Sequence, residues 1–551
     1  MQKGTMNHSF RRTPLAHALA LPLVLALSAC GGGGSSSSVD VSTPAALKLT
    51  GTAAVGAPMA NAAITIACAT GSATLSADAN GVYTVTITDG ALPCAITATS
   101  SDGLTELHAI AAGSGSADTT ANITPLTELL VAQLSGGDPK AFVTGFSSTT
   151  MIDPAAVAAA QVALLQTLAA AGVDTAGIDD ILGGAIAAGS GTGYDGVLDK
   201  LKVVLDGAGS TLADLTTAVS TTSGAGSDTS SSTVTTILAR AAGDCPGLRS
   251  GTLRVLGLGT GESSLVQVDA AALTASSQGV VYTMTRNADC DYTIADGDAT
   301  RVLVARSGVA VLLTGSGATG VAGVAIPEQK LDVAALAGSY DRVQYGATFD
   351  SEVGDFGTTV FAADGQNGLS VNCPLGVGNC ADDPQSKGKL VANADGGFDY
   401  MENGASQARV FAFRNAAGRN LLIAQAADGT VTVLAGKVAL ELPVVGKVSP
   451  YWQFTINAAG LGAVAADANT VTAVDTAAGT VTRQFADSHF DTLAFNAPFD
   501  GTRYRATNAC MSSTGAALAC NGTVQVAFGG IVVGVSAVPA KHFVSVSIDK
   551  P

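Results

Sequence analysis

Charge is what this chain has least of: only 13% of its 551 residues are Asp, Glu, Lys or Arg, about half the share of an ordinary globular protein. Aromatic residues make up 5%, with a single tryptophan, and there are five histidines. So few aromatics speak against a membrane-spanning barrel, which carries aromatic girdles, although 523–549 alternates as such a barrel would; a soluble domain is expected there. The chain has no Gly-x-Ser-x-Gly, no His-Glu-x-x-His, no phosphate-binding Walker loop and no Cys-x-x-Cys. The usual local marks of a serine hydrolase, a metalloprotease, a nucleotide enzyme and a zinc site are therefore missing. With little charge and a mean hydropathy of +0.37, a disordered acidic chain is excluded as well. The net charge of −17 argues against nucleic acid as a partner.

What is present starts with export. Arg11 and Arg12 precede an apolar run from Leu15 to Leu27 that contains Pro22. That run is too short for the roughly 20 residues of a spanning helix and has the build of a signal peptide over 1–29. Leu27-Ser28-Ala29-Cys30 resembles the bacterial lipobox. The resemblance implies that Cys30 becomes the first mature residue and carries lipid, and that Gly31 after it favours the outer membrane. Residues 30–44 read as a tether, since Gly31–Gly34 and Ser35–Ser38 behave as flexible coil. The membrane, reached through the lipid on Cys30, is the one partner expected by chemistry; any envelope ligand is unnamed.

Eight further cysteines follow: Cys68, Cys94, Cys245, Cys290, Cys373, Cys380, Cys510 and Cys520. An even number in an exported chain reads as disulfides. Joining sequence neighbours gives the shortest loops, although the last four could be joined otherwise. No metal, cofactor or catalytic thiol is expected.

The chain then divides by period. Residues 45–123 alternate in the manner of strands, as in Ala62–Cys68 and Val82–Ile87, with a tight Asn80-Gly81 hairpin turn between them. Gly51 to Ala62 followed by Asp78 to Tyr83 resembles the carboxypeptidase regulatory-like domain. That resemblance implies a prealbumin-like sandwich without catalytic residues of its own. Residues 124–220 change to a helical period: Thr124-Pro125, Asp138-Pro139 and Asp153-Pro154 are start signals. The longest helix is expected from Pro154 to Ala171, burying Val157, Leu164, Leu165 and Leu168. Residues 221–244 read as a Ser/Thr-rich linker.

From Cys245 the strand period returns, with Asp-Gly turns at 296, 364, 395 and 428. Two β regions are expected, 245–332 and a possibly barrel-like 333–551. Gly338-Ser-Tyr340 is somewhat similar to the Gly-x-Trp strand that opens lipocalin-like barrels, with tyrosine in the tryptophan's place. The fold class is thus multi-domain and mainly β: a β-sandwich, a short α-helical segment and a large antiparallel region of sandwich or barrel units. Three readings of function are carried forward. The first is a non-catalytic envelope binding or structural protein. The second is a lipid-anchored hydrolase, using Asp487 and His489 with a serine, or paired carboxylates. The third is a carrier of small apolar ligands, which needs a hollow barrel after Leu336. Asp78 with Asn80, Asp350 with Glu352 and Asp355, and Asp382 with Asp383 are read as turn or loop acids, with weak calcium binding as the alternative.

Overall fold

The structure is a computed structural model that describes residues 46–220, 227–346, 356–374, 376–383, 387–538 and 542–550. The expected signal peptide, Cys30 and the tether lie outside the described residues, as do Asp350, Glu352 and Asp355. The fold is multi-domain and mainly β, with 47% strand and 15% helix.

Two sheets form the sandwich. One joins Val82–Thr88, Ala46–Thr52 and Thr119–Thr120; the other joins Ser72–Ser76, Ala63–Thr70, Ala91–Thr99 and Glu106–Gly115. Every second side chain of Ala63–Thr70 is buried up to Cys68, because alternate side chains of a strand point to opposite faces. Cys68 and Cys94 face each other across paired strands and form a disulfide. The Asp78–Gly81 turn differs from the expectation: it carries the chain from one sheet to the other and closes no hairpin, since Val82–Thr88 pairs with Ala46–Thr52 alone. The Asp78 carboxylate accepts from the amides of Asn80 and Val82 at 2.8 and 2.9 Å, so its role there is a turn.

Six helices follow among the described residues: α1 Pro125–Ser135, α2 Pro139–Thr144, α3 Pro154–Ala170, α4 Gly193–Ala208, α5 Leu212–Ser220 and α6 Ser227–Leu238. The start signals are real caps. Thr124 Oγ1 accepts from the Thr127 amide at 3.2 Å, and the carboxylates of Asp138 and Asp153 accept from the amides of Lys140 and Ala155. Each bond satisfies an amide that the first helical turn leaves without a partner. Helix α3 buries Val157, Leu164 and Leu168; Leu165 is only half-buried.

Within the linker expected over 221–244, Ser227–Leu238 is instead helix α6. Its serines and threonines are poor helix formers, yet Val234, Ile237 and Leu238 are buried in the helical core. Its last carbonyls also find donors: Ser210 Oγ donates to Ile237 O at 2.8 Å, and Arg249 donates to the carbonyls of Thr236 and Ile237. Apolar burial and capped carbonyls outweigh the local preference.

Three rolled sheets make up the rest. The first is a closed eight-stranded up-and-down barrel from Gly251–Gly257 to Val321–Pro327, sealed by the register Leu253↔Pro327 through Gly257↔Gly323. The second is a nine-stranded sheet over 338–436 whose far strand, Lys389–Ala392, returns to bridge Gln366. Its interior is filled by Leu336, Tyr340, Phe361, Phe398, Val410 and Leu422. Gly338-Ser-Tyr340 does open this unit, and the Tyr340 hydroxyl donates back to Leu336 O at 2.7 Å. The third closes eight strands in a ring from Val448–Asn457 to Phe543–Asp549; the seal is Tyr451↔Asp549 through Asn457↔Phe543.

The region expected as one unit, 333–551, thus holds two sheets. All three units share one apolar core containing Leu256, Phe411, Phe413, Phe454, Phe528 and Val546. The outward valines of 523–549 lie in that core, which accounts for their alternation. At the joint between the first two units, Arg254 makes a two-pronged ion pair with Glu328 (2.8 and 2.7 Å) and stacks 4.4 Å above the Phe411 ring.

Candidate functional site

Two of the three rolled sheets are hollow, and their linings differ in chemistry. In the first barrel the strand register turns Leu253, Val255, Val266, Val268, Ala275, Met284, Ile294, Val302, Ala310, Leu312 and Ala325 inward. Several of these positions are small, and Gly323 lies among them, so the side chains do not fill the lumen. They enclose a cavity of about 830 Å³, within the range of small-ligand sites. Its wall also includes Phe413, Arg414, Asn415 and Ala416 of the second unit, with Arg306 and Arg419.

The third barrel is inverted. Most of its apolar residues face outward into the shared core, and the inward register carries Tyr451, Gln453, Thr455, Asp467, Asn469, Arg483, Arg503, Arg505, Gln525, Ser545, Ser547 and Asp549, with Val471, Val481, Leu493 and Phe495 among them. They line a cavity of about 1120 Å³. Arg306, Arg419, Lys447, Arg483, Arg503, Arg505 and Lys550 are its cations, against the acids Glu441, Asp467 and Asp549. In a chain with net charge −17 this is a local reversal of sign.

On one wall Arg483 holds the wholly buried Asp491 with two bonds of 3.0 and 2.7 Å, and Arg505 adds a third at 3.1 Å. Arg505 continues to the Asn521 carbonyl. Two guanidinium groups on one carboxylate leave a surplus positive charge. Beside them Arg503 makes no hydrogen bond among the described residues, and its Nε is buried without a partner. Its guanidinium lies 5.1 Å from the Phe495 ring centre. Burial, and then the neighbouring Arg483, lower its pKa to about 10. Burial likewise pushes the Asp549 carboxyl upward, against the pull of Arg306, Arg503 and Lys447. Thr523 Oγ1, His542 Nε2 and Arg419 Nη2 line the same cavity, also buried and unpartnered.

Of the residues singled out in the sequence, His489 lines this second cavity, and the cysteines do not. Cys245–Cys290, Cys373–Cys380 and Cys510–Cys520 form disulfides, as does Cys68–Cys94; every bridge joins sequence neighbours. Asp487 does hydrogen-bond His489, and the imidazole stacks on Phe485 at 4.3 Å. Among the described residues no serine hydroxyl bonds to that ring. His108 is buried in a joint: Glu128 of α1 accepts from its amide at 2.6 Å and lies 3.0 Å from its ring nitrogen. Asp383 accepts from the Asn372 side chain. Among the described residues no group of three or more His, Cys, Asp or Glu is placed to hold a metal ion, and no helix is long and apolar enough to cross a membrane.

Reading the sequence alone missed both cavities. The available signal was Arg503-Tyr-Arg505 with Arg483, arginines at strand alternation in a chain otherwise poor in base. The hollow apolar barrel also precedes Leu336, whereas the carrier reading looked for one after it.

Fold and cavities define a β-rich protein with two ligand-sized, partly open cavities, one mainly apolar and one rich in cations. No family model matches the chain, and no curated protein does. Among solved structures it is similar to a protein of unknown function of the DUF3598 family from Nostoc punctiforme, at 11% identity, covering 40% of this chain and 98% of that one. The TM-score is 0.15.

Proposed function

We propose that this chain is a lipid-anchored cell-envelope protein that binds a small apolar ligand in its first barrel and performs no chemistry on it. The observation that carries the reading is the chamber of about 830 Å³ walled by inward Leu, Val, Ile, Met and Ala side chains. Apolar surface left around a void is favourable to cover, at about 25 cal/mol per Å² removed from water. Such a lumen suits a hydrophobic solute carried across an aqueous compartment. Cys30 and the Gly/Ser tether would hold the chamber near a membrane, from which such solutes come; stable anchoring needs more than one acyl chain.

The test is titration of the purified mature chain with a neutral naphthylamine dye that fluoresces in apolar surroundings. Saturable binding with a Kd of about 1–10 μM is expected. Ala325→Phe, which puts a ring into the lumen, should weaken binding by at least about tenfold, one such step being about 1.4 kcal/mol. An unsaturable response, or equal affinity in the variant, overturns the reading. For the anchor, Cys30→Ala in the native host should move the protein from the membrane pellet to the soluble fraction. Intact-mass analysis showing an unmodified, uncleaved amino terminus would refute it.

A further inference from the structure

The third barrel holds a second chamber that an apolar carrier does not need. We propose that its lumen binds a small acidic sugar, a polyhydroxylated solute bearing a carboxylate or a phosphate.

Three observations converge. First, the charge of the lining is opposite to that of the chain, with seven cations against three acids. Asp491 removes one unit by its pairing with Arg483 and Arg505, and the surplus remains. A concave site lined mainly by one sign of charge concentrates solutes of the other.

Second, the donors are left waiting. Arg503 is half-buried, its side chain makes no hydrogen bond among the described residues, and its Nε is buried without a partner. Arg419 Nη2, Thr523 Oγ1 and His542 Nε2 are in the same condition in the same cavity. Buried polar groups are normally satisfied, and each exception carries a desolvation cost of about 1–3 kcal/mol. Register places Arg503 opposite Gln525 and Arg505 opposite Thr523, so the four side chains form one patch on two paired strands. Guanidinium groups bind carboxylate and phosphate oxygens with parallel hydrogen bonds.

Third, the wall built by Val448–Asn457 and Phe543–Asp549 carries hydroxyls and amides, Tyr451, Gln453, Thr455, Asn457, Ser545 and Ser547, while Val471, Val481, Leu493 and Phe495 lend the cavity apolar surface as well. A lipid tail placed there would strip these groups of water without replacing its hydrogen bonds, whereas the hydroxyls of a sugar would match them. Gly534 faces the Gln525 and Ser545 side chains, where a Cβ would stand 2.8 Å from Ser545 Oγ, so the missing side chain keeps that wall open.

The experiment is calorimetric titration of the full mature chain with glucose 6-phosphate, glucuronate, glucose and inorganic phosphate. At least one acidic sugar should bind with a Kd below about 1 mM, and glucose and inorganic phosphate at least about tenfold more weakly. The stronger of the two acidic sugars tells whether phosphate or carboxylate is the recognised group. Binding should weaken as salt rises from about 50 to 500 mM, as screening requires. Arg503→Met should reduce affinity by at least about tenfold while dye binding in the first barrel and the circular dichroism stay unchanged, which separates loss of this site from loss of fold. No binding of either acidic sugar, equal binding of inorganic phosphate, or an unaffected Arg503→Met variant overturns the proposal. None of those results bears on the apolar chamber, because Arg503 does not line it.

Discussion

Replacing Cys245 and Cys290 together by alanine is expected to lower the stability of the first barrel by about 4 kcal/mol on the chain-entropy model of loop closure. The bridge spans 45 positions, against 7 for Cys373–Cys380 and 10 for Cys510–Cys520. The same model gives about 2.5 kcal/mol for the two short loops, so the long bridge should stand apart. Its place in the fold adds to this. Cys245 begins the strand that joins the helical segment to the barrel, and Cys290 sits in the turn between Val280–Ala288 and Asp291–Ile294. Both are buried, so the variant also leaves two small voids. The bridge closes next to Arg249, which caps α6, and loosening one end should loosen the other. Amide hydrogen exchange should therefore quicken over 227–249 and through the barrel strands, and the sandwich should keep its protection. A loss no larger than that from removing Cys373–Cys380 would mean that the barrel's own ladder already restricts the unfolded chain.

How far the sequence reveals this fold depends on how local each cause is. Helix starts were legible because a cap is a bond across two or three residues: Thr124, Asp138 and Asp153 each hold an amide of the turn that follows. The four bridges were legible because each joins sequence neighbours. Alternation marked 523–549, which holds the strand Phe543–Asp549, but it reports two faces without saying which is inside. In the third barrel the usual assignment is reversed, since Trp452 and Phe454 point out into the shared core and Tyr451 and Gln453 point into the lumen. Barrel closure was equally hidden: Tyr451 and Asp549 are paired strand neighbours nearly a hundred positions apart, and nothing local announces that contact. Helix α6 was misread for the complementary reason, its local preference being opposed by burial and capping from residues on other elements. The candidate sites share that difficulty, because a cavity is made by what eight strands leave unfilled.

Asp341 should make stability fall as pH rises, and Asp341→Asn should abolish that fall. The carboxyl is fully buried on the strand Gly338–Tyr345, and both its oxygens lack a hydrogen-bond partner. It lies where the second unit meets the third, so close to Gly501, whose φ is +97°, that a Cβ there would collide with it. Burial raises its pKa to about 7, opposed by the charges of Lys437 and Arg419 and helped by that of Asp500. In the unfolded chain the same group titrates near 4. Below about pH 4 it is protonated in both states and has no effect on the balance. Between about pH 4 and 7 the unfolded chain has released the proton and the folded one retains it, so each unit of pH lowers stability by up to about 1.4 kcal/mol. Above about pH 7 both states are ionised and the penalty is constant, on the order of 4 kcal/mol. Asparagine has nearly the same shape and cannot ionise. Its unfolding free energy in guanidinium chloride should match the wild type at pH 4 and exceed it at pH 8 by that amount. Two curves running parallel from pH 4 to 8 would show that Asp341 is ionised throughout in the folded protein. In that case Lys437 and Arg419, and not solvent exclusion, would govern the joint between the second and third units.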